Sequence, residues 1–421
     1  MLVRSTGLAL VMMTALLIAA CTPAAQPTVA PGTPAPGTPA PGTPAVGTPG
    51  PGTPDVTAPP SPTAAATEPA SPDTGSPQPT VGVGDLRVAV VTDVGTVNDK
   101  NFNEYSFLGA VAGAEAVGAE EPPVFVPPDA SQYRAGIDSF VEQGYNVIVT
   151  VGFNLEGETT AAAKAHPDVW FIGVDQNPCV DENGDIDPTF ANCTDVGQSL
   201  PQYALLQFQE DQPGYLAGIV AASISENDRI GAVGGITLCA PCIRYIQGYE
   251  LGAQSVKPDI EVSVAWVTES DFNLAFNDPA AGANFGQQFI QQNDPDVVFQ
   301  VAGKTGNGVL QSTCEAGKLG IGVDVDQFLS LGSEPGAACV VTSAEKKLSS
   351  AVEQTIVAIS DGTAQGGVNT FNAANDGIGI SDYHDHADLI TPDTQAALDE
   401  ALQGMKDGTL QTCPENCGQL Q

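Results

Sequence analysis

Asp93, Asn98 and Asp99 stand in one short polar loop, and Phe102 and Asn103 follow at once. An aromatic ring between an acid and an amide offers a stacking face, an acceptor and a mixed donor and acceptor. That set suits a flat polar ligand such as a nucleobase. The loop follows Val88-Ala89-Val90-Val91, an apolar run the length of one buried strand. Where it ends, Phe102, Tyr105, Phe107, Leu108 and Val111 take up helical spacing. Open α/β sheets bind ligands at the carboxyl ends of their strands, and this loop is such an end. The alternative is structural: Asn98 or Asp99 caps a helix and Phe102 enters its core.

Asp175 and Asp324 repeat the arrangement, each closing an apolar strand with a carboxylate. Each is either a helix N-cap or a ligand group, and two in equivalent places favour the ligand. Lys346 is one of 13 Lys and Arg in the chain and follows a short strand. It either reaches a cleft or is a solvated surface lysine. Ala302-Gly303-Lys304-Thr305 suggests a phosphate loop, but Val298 stands where that motif needs glycine. Gly303 is better read as a point of close backbone approach to a ligand. His384 and His386, with Asp382, Asp385 and Asp388, would share a metal if they lay on one strand face. An exposed polar loop is the preferred reading, so no metal and no cofactor is expected. His166, before a proline, reads as a helix C-terminal cap. Three histidines and no serine in a nucleophile elbow leave little general-base capacity, so no catalysis is expected.

The 421 residues carry 13 Lys and Arg against 50 Asp and Glu, a formal charge of −37. Phosphate binding needs a basic surface, which excludes nucleic acid as a partner. Anionic lipid would repel the same charge. The amino terminus supplies a different membrane attachment. Arg4 and the apolar run from Leu8 to Ala20 form a signal peptide over 1–20, too short to span a bilayer. It ends Leu17-Ile18-Ala19-Ala20-Cys21, which resembles the lipobox of bacterial lipoproteins and predicts lipid on Cys21. Residues 21–84 read as a spacer in which PGTPA recurs at 31, 36 and 41, polyproline-like and without a core.

Eight further cysteines in a chain sent outside the cytoplasm are expected to pair. Neighbour pairing is the simplest arrangement: Cys179–Cys193, Cys239–Cys242, Cys314–Cys339 and Cys413–Cys417. Sequence does not determine the connectivity, least of all for Cys314–Cys339. A redox role for Cys239-Ala-Pro-Cys242 is the lesser reading, since no βαβ start precedes it.

The elements that must position these residues alternate. Strands are expected at 86–91, 124–126, 147–151 and 169–175, with helices at 102–118, 131–143 and 156–165. A polar insertion covers 176–200. The plan restarts with a helix from Gln212 to about 225, strands at 229–233, 262–266, 297–301 and 319–323, and helices at 243–255, 280–292 and 306–317. Repeated βα units predict parallel sheets flanked by helices. Two such arrays imply two lobes with a ligand cleft between them. The expected division is 85–205 plus 327–365 for the N-terminal lobe and 206–326 plus 366–421 for the C-terminal lobe.

Nine segments in order resemble one known family: NDKNFNEYSFLGA (98–110), VTVGFN (149–154), WFIGVD (170–175), DQPGYLAGIVAA (211–222), GAVGG (231–235), FNDPAAG (276–282), VAGKTGNGV (301–309), IGVDVDQ (321–327) and TSAEKK (342–347). Over roughly 85–410 the chain is similar to the basic membrane protein family of substrate-binding lipoproteins. Its best-understood members are purine nucleoside receptors of ABC transporters. The resemblance implies a two-lobed α/β periplasmic-binding-protein type I fold with several hinge crossings, and a nucleoside held between two aromatics. Phe102 would be one stacking face and Phe276 the other, with Tyr245 in reserve. Asn103 and Asp175 would bond the base edge, Asp324 and Lys346 the ribose hydroxyls, and Gly303 would lend backbone. Asp99 stays a candidate from its place in the loop. Expected partners are a small molecule, ABC permease subunits and, through Cys21, the outer face of a cell membrane; the protein itself is expected to be a monomer. A sensor not coupled to transport and a surface adhesin are the alternatives. The chain departs from the family at Asn101, where DKSFN is usual, at CAPC (239–242) and in the 176–200 insertion.

Overall fold

The computed structural model describes residues 86–420; the expected signal peptide, the anchor Cys21 and the spacer lie outside them. Near-continuous Val, Ile and Phe runs make the first strands, because a parallel strand is covered on both faces. They are β1 (Val88–Thr92), β2 (Val124–Phe125), β3 (Val147–Val151), β4 (Trp170–Val174) and β5 (Tyr203–Phe208). Between them lie α1 (Phe102–Ala116), α2 (Tyr133–Glu142), α3 (Glu156–Ala165) and α4 (Val196–Ser199). The second series holds β6 (Arg229–Ile236), β7 (Glu261–Thr268), β8 (Val297–Val301), β9 (Leu319–Asp324) and β10 (Val340–Lys346). Its helices are α5 (Asp211–Ile224), α6 (Ala240–Val256), α7 (Phe272–Phe276), α8 (Pro279–Asn293), α9 (Gly303–Glu315) and α10 (Gln327–Leu331). α11 (Leu348–Ser360), β11 (Gly367–Phe371), β12 (Ile378–Ile380) and α12 (Pro392–Lys406) complete the chain. Every residue of β1, β3, β4 and β8 is buried.

Two six-stranded sheets result, in the orders β11-β5-β4-β3-β1-β2 and β12-β10-β9-β8-β6-β7. All neighbours pair parallel except β10 with β12. The orders match place for place, so β1 corresponds to β6, β3 to β8, β4 to β9 and β5 to β10. The two mostly parallel sheets flanked by helices are the fold expected from the alternation.

The strand pairing corrects the expected division at 327 and 366. β10 extends the second sheet beside β9, although 327–365 was assigned to the first lobe. β11 closes the first sheet beside β5, although 366–421 was assigned to the second. The chain therefore passes between the sheets three times: after β5, after β10 and after β11. The sequence pattern marks no strand at β5, no helix at α7 and no element from α11 onward. All four neighbour disulfides are present, Cys314–Cys339 included.

Helix contacts are close because glycines stand four apart on facing helices. Gly214 and Gly218 of α5 meet the backbone of α6, and Gly248 and Gly252 of α6 meet the backbone of α5. A Cβ on Gly252 would collide with the carbonyl oxygen of Tyr215. Backbone cannot swing aside as a side chain can, so Gly252→Ala is expected to cost about 1–3 kcal/mol, measured by urea unfolding.

Candidate functional site

The carboxyl ends of both sheets enclose one cavity of about 610 Å³, its open mouth included. From the first sheet, the segment after β1 brings Asp99, Phe102 and Asn103, and the end of β4 brings Asp175. From the second, α6 brings Tyr245, α7 Phe276, the end of β8 Gly303, and the ends of β9 and β10 bring Asp324 and Lys346. All nine residues singled out in the sequence line this one space.

Its floor is a buried charge cluster. Lys346 Nζ lies 2.5 Å from Asp175 Oδ2, 3.1 Å from Glu210 Oε1 and 3.8 Å from Asp324 Oδ1. Lys346 is 4% exposed, which rules out a solvated surface lysine. Arg244 Nε adds a bond of 2.5 Å to Glu210 Oε2. Burial disfavours the ammonium of Lys346, but three carboxylates outweigh it and hold its pKa above the ordinary lysine value. Burial likewise opposes ionisation of Glu210, yet Arg244 and Lys346 bring its pKa below the usual carboxylate range. Asp175 is pushed up by burial, against the pull of Lys346. Asp324 is pushed up to about 7 by burial, with Asp175 and Glu210 adding repulsion and Lys346 opposing.

Asp175 and Asp324 hold equivalent places in the two sheets and share the same unusual backbone, with φ of 59° and 64°. Left-handed conformations favour glycine, and aspartate tolerates them better than most residues. Neither carboxylate caps a helix. Asp326 caps α10, accepting from the N–H of Leu329 at 3.2 Å. Asp175 Oδ1 is buried without a partner, a free acceptor beside the cavity.

Asp99 follows the structural alternative instead. Its carboxylate accepts from the backbone N–H groups of Asn101, Asn103 and Glu104 at 2.9–3.0 Å, so most of its capacity is spent on starting α1. That bracing presents the next residues. Phe102 is partly buried at the cavity, 5.4 Å from Lys346 Nζ by its ring centre. Asn103 Nδ2 donates to Val94 O at 2.8 Å, which leaves Oδ1 buried and unpartnered. Tyr245 is almost fully enclosed, its hydroxyl 3.2 Å from Ala344 O and 3.3 Å from Asp324 Oδ1. It belongs to the charge cluster. Gly303 has φ of 50°, near the backbone of Phe276.

Sequence reasoning passed over four contributors. Glu210 and Arg244 complete the cluster, and only the crossing after β5 brings them there. Phe153, at the end of β3, meets Phe276 edge-on at 6.3 Å and Phe272 at 5.9 Å, so an aromatic row joins the two lobes. Its signal was the VTVGFN motif. Asp93 stands in the same polar loop as Asp99. Its carboxylate accepts from the N–H of Val94 at 2.6 Å and of Asn154 at 3.3 Å, and burial pushes its pKa up to about 7.

Asp93 and Asp324 imply a pH dependence. Their folded pKa values lie above the unfolded value of 3.8. The stability each contributes is complete below the unfolded value and is lost as pH rises through about 7. The ligand-free melting temperature is expected to fall as pH rises from about 4 to about 7 and to level off above that, and Asp324→Asn to flatten that slope.

The other candidates lie elsewhere. His384 Nε2 is 2.8 Å from Asp326 Oδ2 and stacks on Phe328, whereas His386 Nε2 is 2.9 Å from Ala338 O. The two imidazoles have different partners and form no common ligand pair. His166 ends α3, as expected. Two bonds close the lobes over the site: Asn307 Nδ2 donates to Asp99 O at 3.0 Å, and Ser330 Oγ to Lys100 O at 2.8 Å. Among the described residues no helix is long and apolar enough to cross a membrane.

A family model described as ABC transporter substrate-binding protein PnrA-like matches residues 86–404. The ABC transporter nucleoside-binding protein BmpA of Lactococcus lactis subsp. cremoris is 30% identical over 343 residues, covering 77% of this chain and 88% of that one. An uncharacterized lipoprotein of Pyrococcus abyssi is 24% identical, over 70% of this chain and 69% of its own. Among solved structures, an ABC transporter solute-binding protein from Aeropyrum pernix K1 superimposes with a TM-score of 0.65 at 23% identity, covering 77% of this chain and 92% of that one. At that identity the likeness speaks for the fold.

Proposed function

Because the chain belongs to the PnrA-like family of ABC transporter substrate-binding proteins, we propose that it captures a purine nucleoside outside the cytoplasm and hands it to a permease. One observation carries the reading. A single interlobe cavity combines aromatic rings, two unpartnered buried acceptors and a buried cation ringed by carboxylates. Aromatic faces supply contact area at low entropy cost, and fixed polar groups supply orientation. In this reading Phe102 and Phe276 flank the base. Asn103 Oδ1 and Asp175 Oδ1 accept from its N–H groups. Asp324 and Lys346 engage the ribose hydroxyls, and Gly303 offers backbone. Carboxylates outnumber cations around the space, which disfavours a phosphorylated ligand. The Lactococcus relative, named as nucleoside-binding, supports the same ligand class.

No residue here is assigned a catalytic role. The protein acts as a monomer, tethered by lipid at Cys21 once residues 1–20 are removed, with residues 21–84 as spacer. The two lobes close about the three crossings when ligand binds.

The test is thermal stability with inosine, guanosine and adenosine. A ligand at one hundred times its Kd stabilises by about 2.7 kcal/mol, so a rise of several degrees is expected. No rise with any nucleoside at about millimolar concentration overturns the reading.

A further inference from the structure

The Cys239–Cys242 bridge is not absorbed by the function proposed above, yet both cysteines line the same cavity. They are 2% and 6% exposed. Their place in the fold is informative. β6 holds in its sheet the position that β1 holds in the other, so α6 is the counterpart of α1. The first turn of α1 presents Phe102 and Asn103 to the cavity; the first turn of α6 presents the disulfide and Pro241.

Three backbone positions of that turn offer no donor to a ligand. Pro241 has no N–H. The N–H of Cys242 is taken by Cys239 Sγ at 3.1 Å, and that of Ile243 by Cys239 O at 3.0 Å. A helix start that would otherwise attract polar or anionic groups has thus lost three of its donors. What remains is a polarizable sulfur face, of the kind that packs well on flat rings. The same turn begins the helix on which Tyr245 reaches Asp324.

We infer that the Cys239–Cys242 disulfide is a ligand-contacting wall of the second lobe, packing against the bound nucleoside and holding the start of α6 in place, so that ligand capture depends on the bridge being intact. The inference rests on the nucleoside reading, and the experiment separates the two. Affinity for the tightest-binding nucleoside is measured for the wild type, for Cys239→Ala/Cys242→Ala, and for Cys314→Ala/Cys339→Ala, a bridge that does not line the cavity. Each is read well below its own ligand-free melting temperature. The first pair is expected to bind about tenfold more weakly, the scale of one or two lost sulfur contacts, and the second to bind like the wild type. A merely structural bridge would lower the melting temperature and leave the affinity of the folded protein unchanged, which overturns the inference. No nucleoside binding by the wild type overturns the function reading, and the inference falls with it.

A second measurement needs no variant. Dithiothreitol supplies two electrons and two protons to the bridge, leaves two thiols and closes to its own cyclic disulfide. Saturating nucleoside is expected to slow this reduction at Cys239–Cys242 and not at Cys413–Cys417, read by alkylation and mass spectrometry. Equal slowing at both, or at neither, overturns the proposed contact.

Discussion

Replacing Lys346 by methionine is expected to remove about 3–5 kcal/mol of folding stability at neutral pH, and ligand binding with it. The ammonium holds Asp175, Glu210 and Asp324 within 3.8 Å, and all four side chains are almost wholly buried. Methionine keeps the volume and removes the charge, so the loss reflects three carboxylates facing one another with Arg244 alone to offset them. Asp175 and Asp324 already have raised pKa values with the lysine present, and its removal raises them further. A carboxyl whose folded pKa exceeds its unfolded value gains stability as pH falls. The variant is therefore expected to recover part of its loss between about pH 7.5 and 5.5, where the wild type changes less. Urea unfolding at the two pH values measures both effects. A loss below about 1 kcal/mol at neutral pH would mean that the cluster is solvated in the working protein.

Phe102→Ala carries the second large effect, on affinity. A base stacked on an aromatic ring is worth about 1–3 kcal/mol by alanine substitution, a loss of roughly five- to 150-fold. Phe102 is only partly buried, and Asp99 starts α1 through backbone groups that the substitution leaves alone. Folding stability should then change much less than affinity. Phe102→Tyr should retain most of the binding, since the stacking face survives. Calorimetric titration with inosine decides between outcomes. Unchanged affinity in Phe102→Ala would place the ring outside the site, and equal losses in the alanine and tyrosine variants would argue for packing over stacking.

Most of the candidate site's lining is readable before the fold because its logic is local. An apolar strand, a polar turn and a helix start form a pattern within about fifteen residues, and parallel sheets put such turns on one edge. Asp175, Gly303, Asp324 and Lys346 were each found from the end of their own strand. The same local view left Asp99 open between two roles, since its carboxylate looks alike in sequence whether it meets a ligand or three backbone N–H groups. It also passed over Glu210, which stands just beyond β5, a strand the sequence reading does not mark.

The sequence by itself determined which residues stand at strand tips and which cysteines are neighbours, since strand length, turn chemistry and short loops depend on contacts close along the chain. Only the tertiary structure decided the sheet that each late strand joins, the pairing of Lys346 with three acids from three segments, and the disulfide in the cavity wall. Those follow from three passages between the sheets. Buried charges need partners wherever the chain brings them, and no spacing in the sequence records which distant residue arrives.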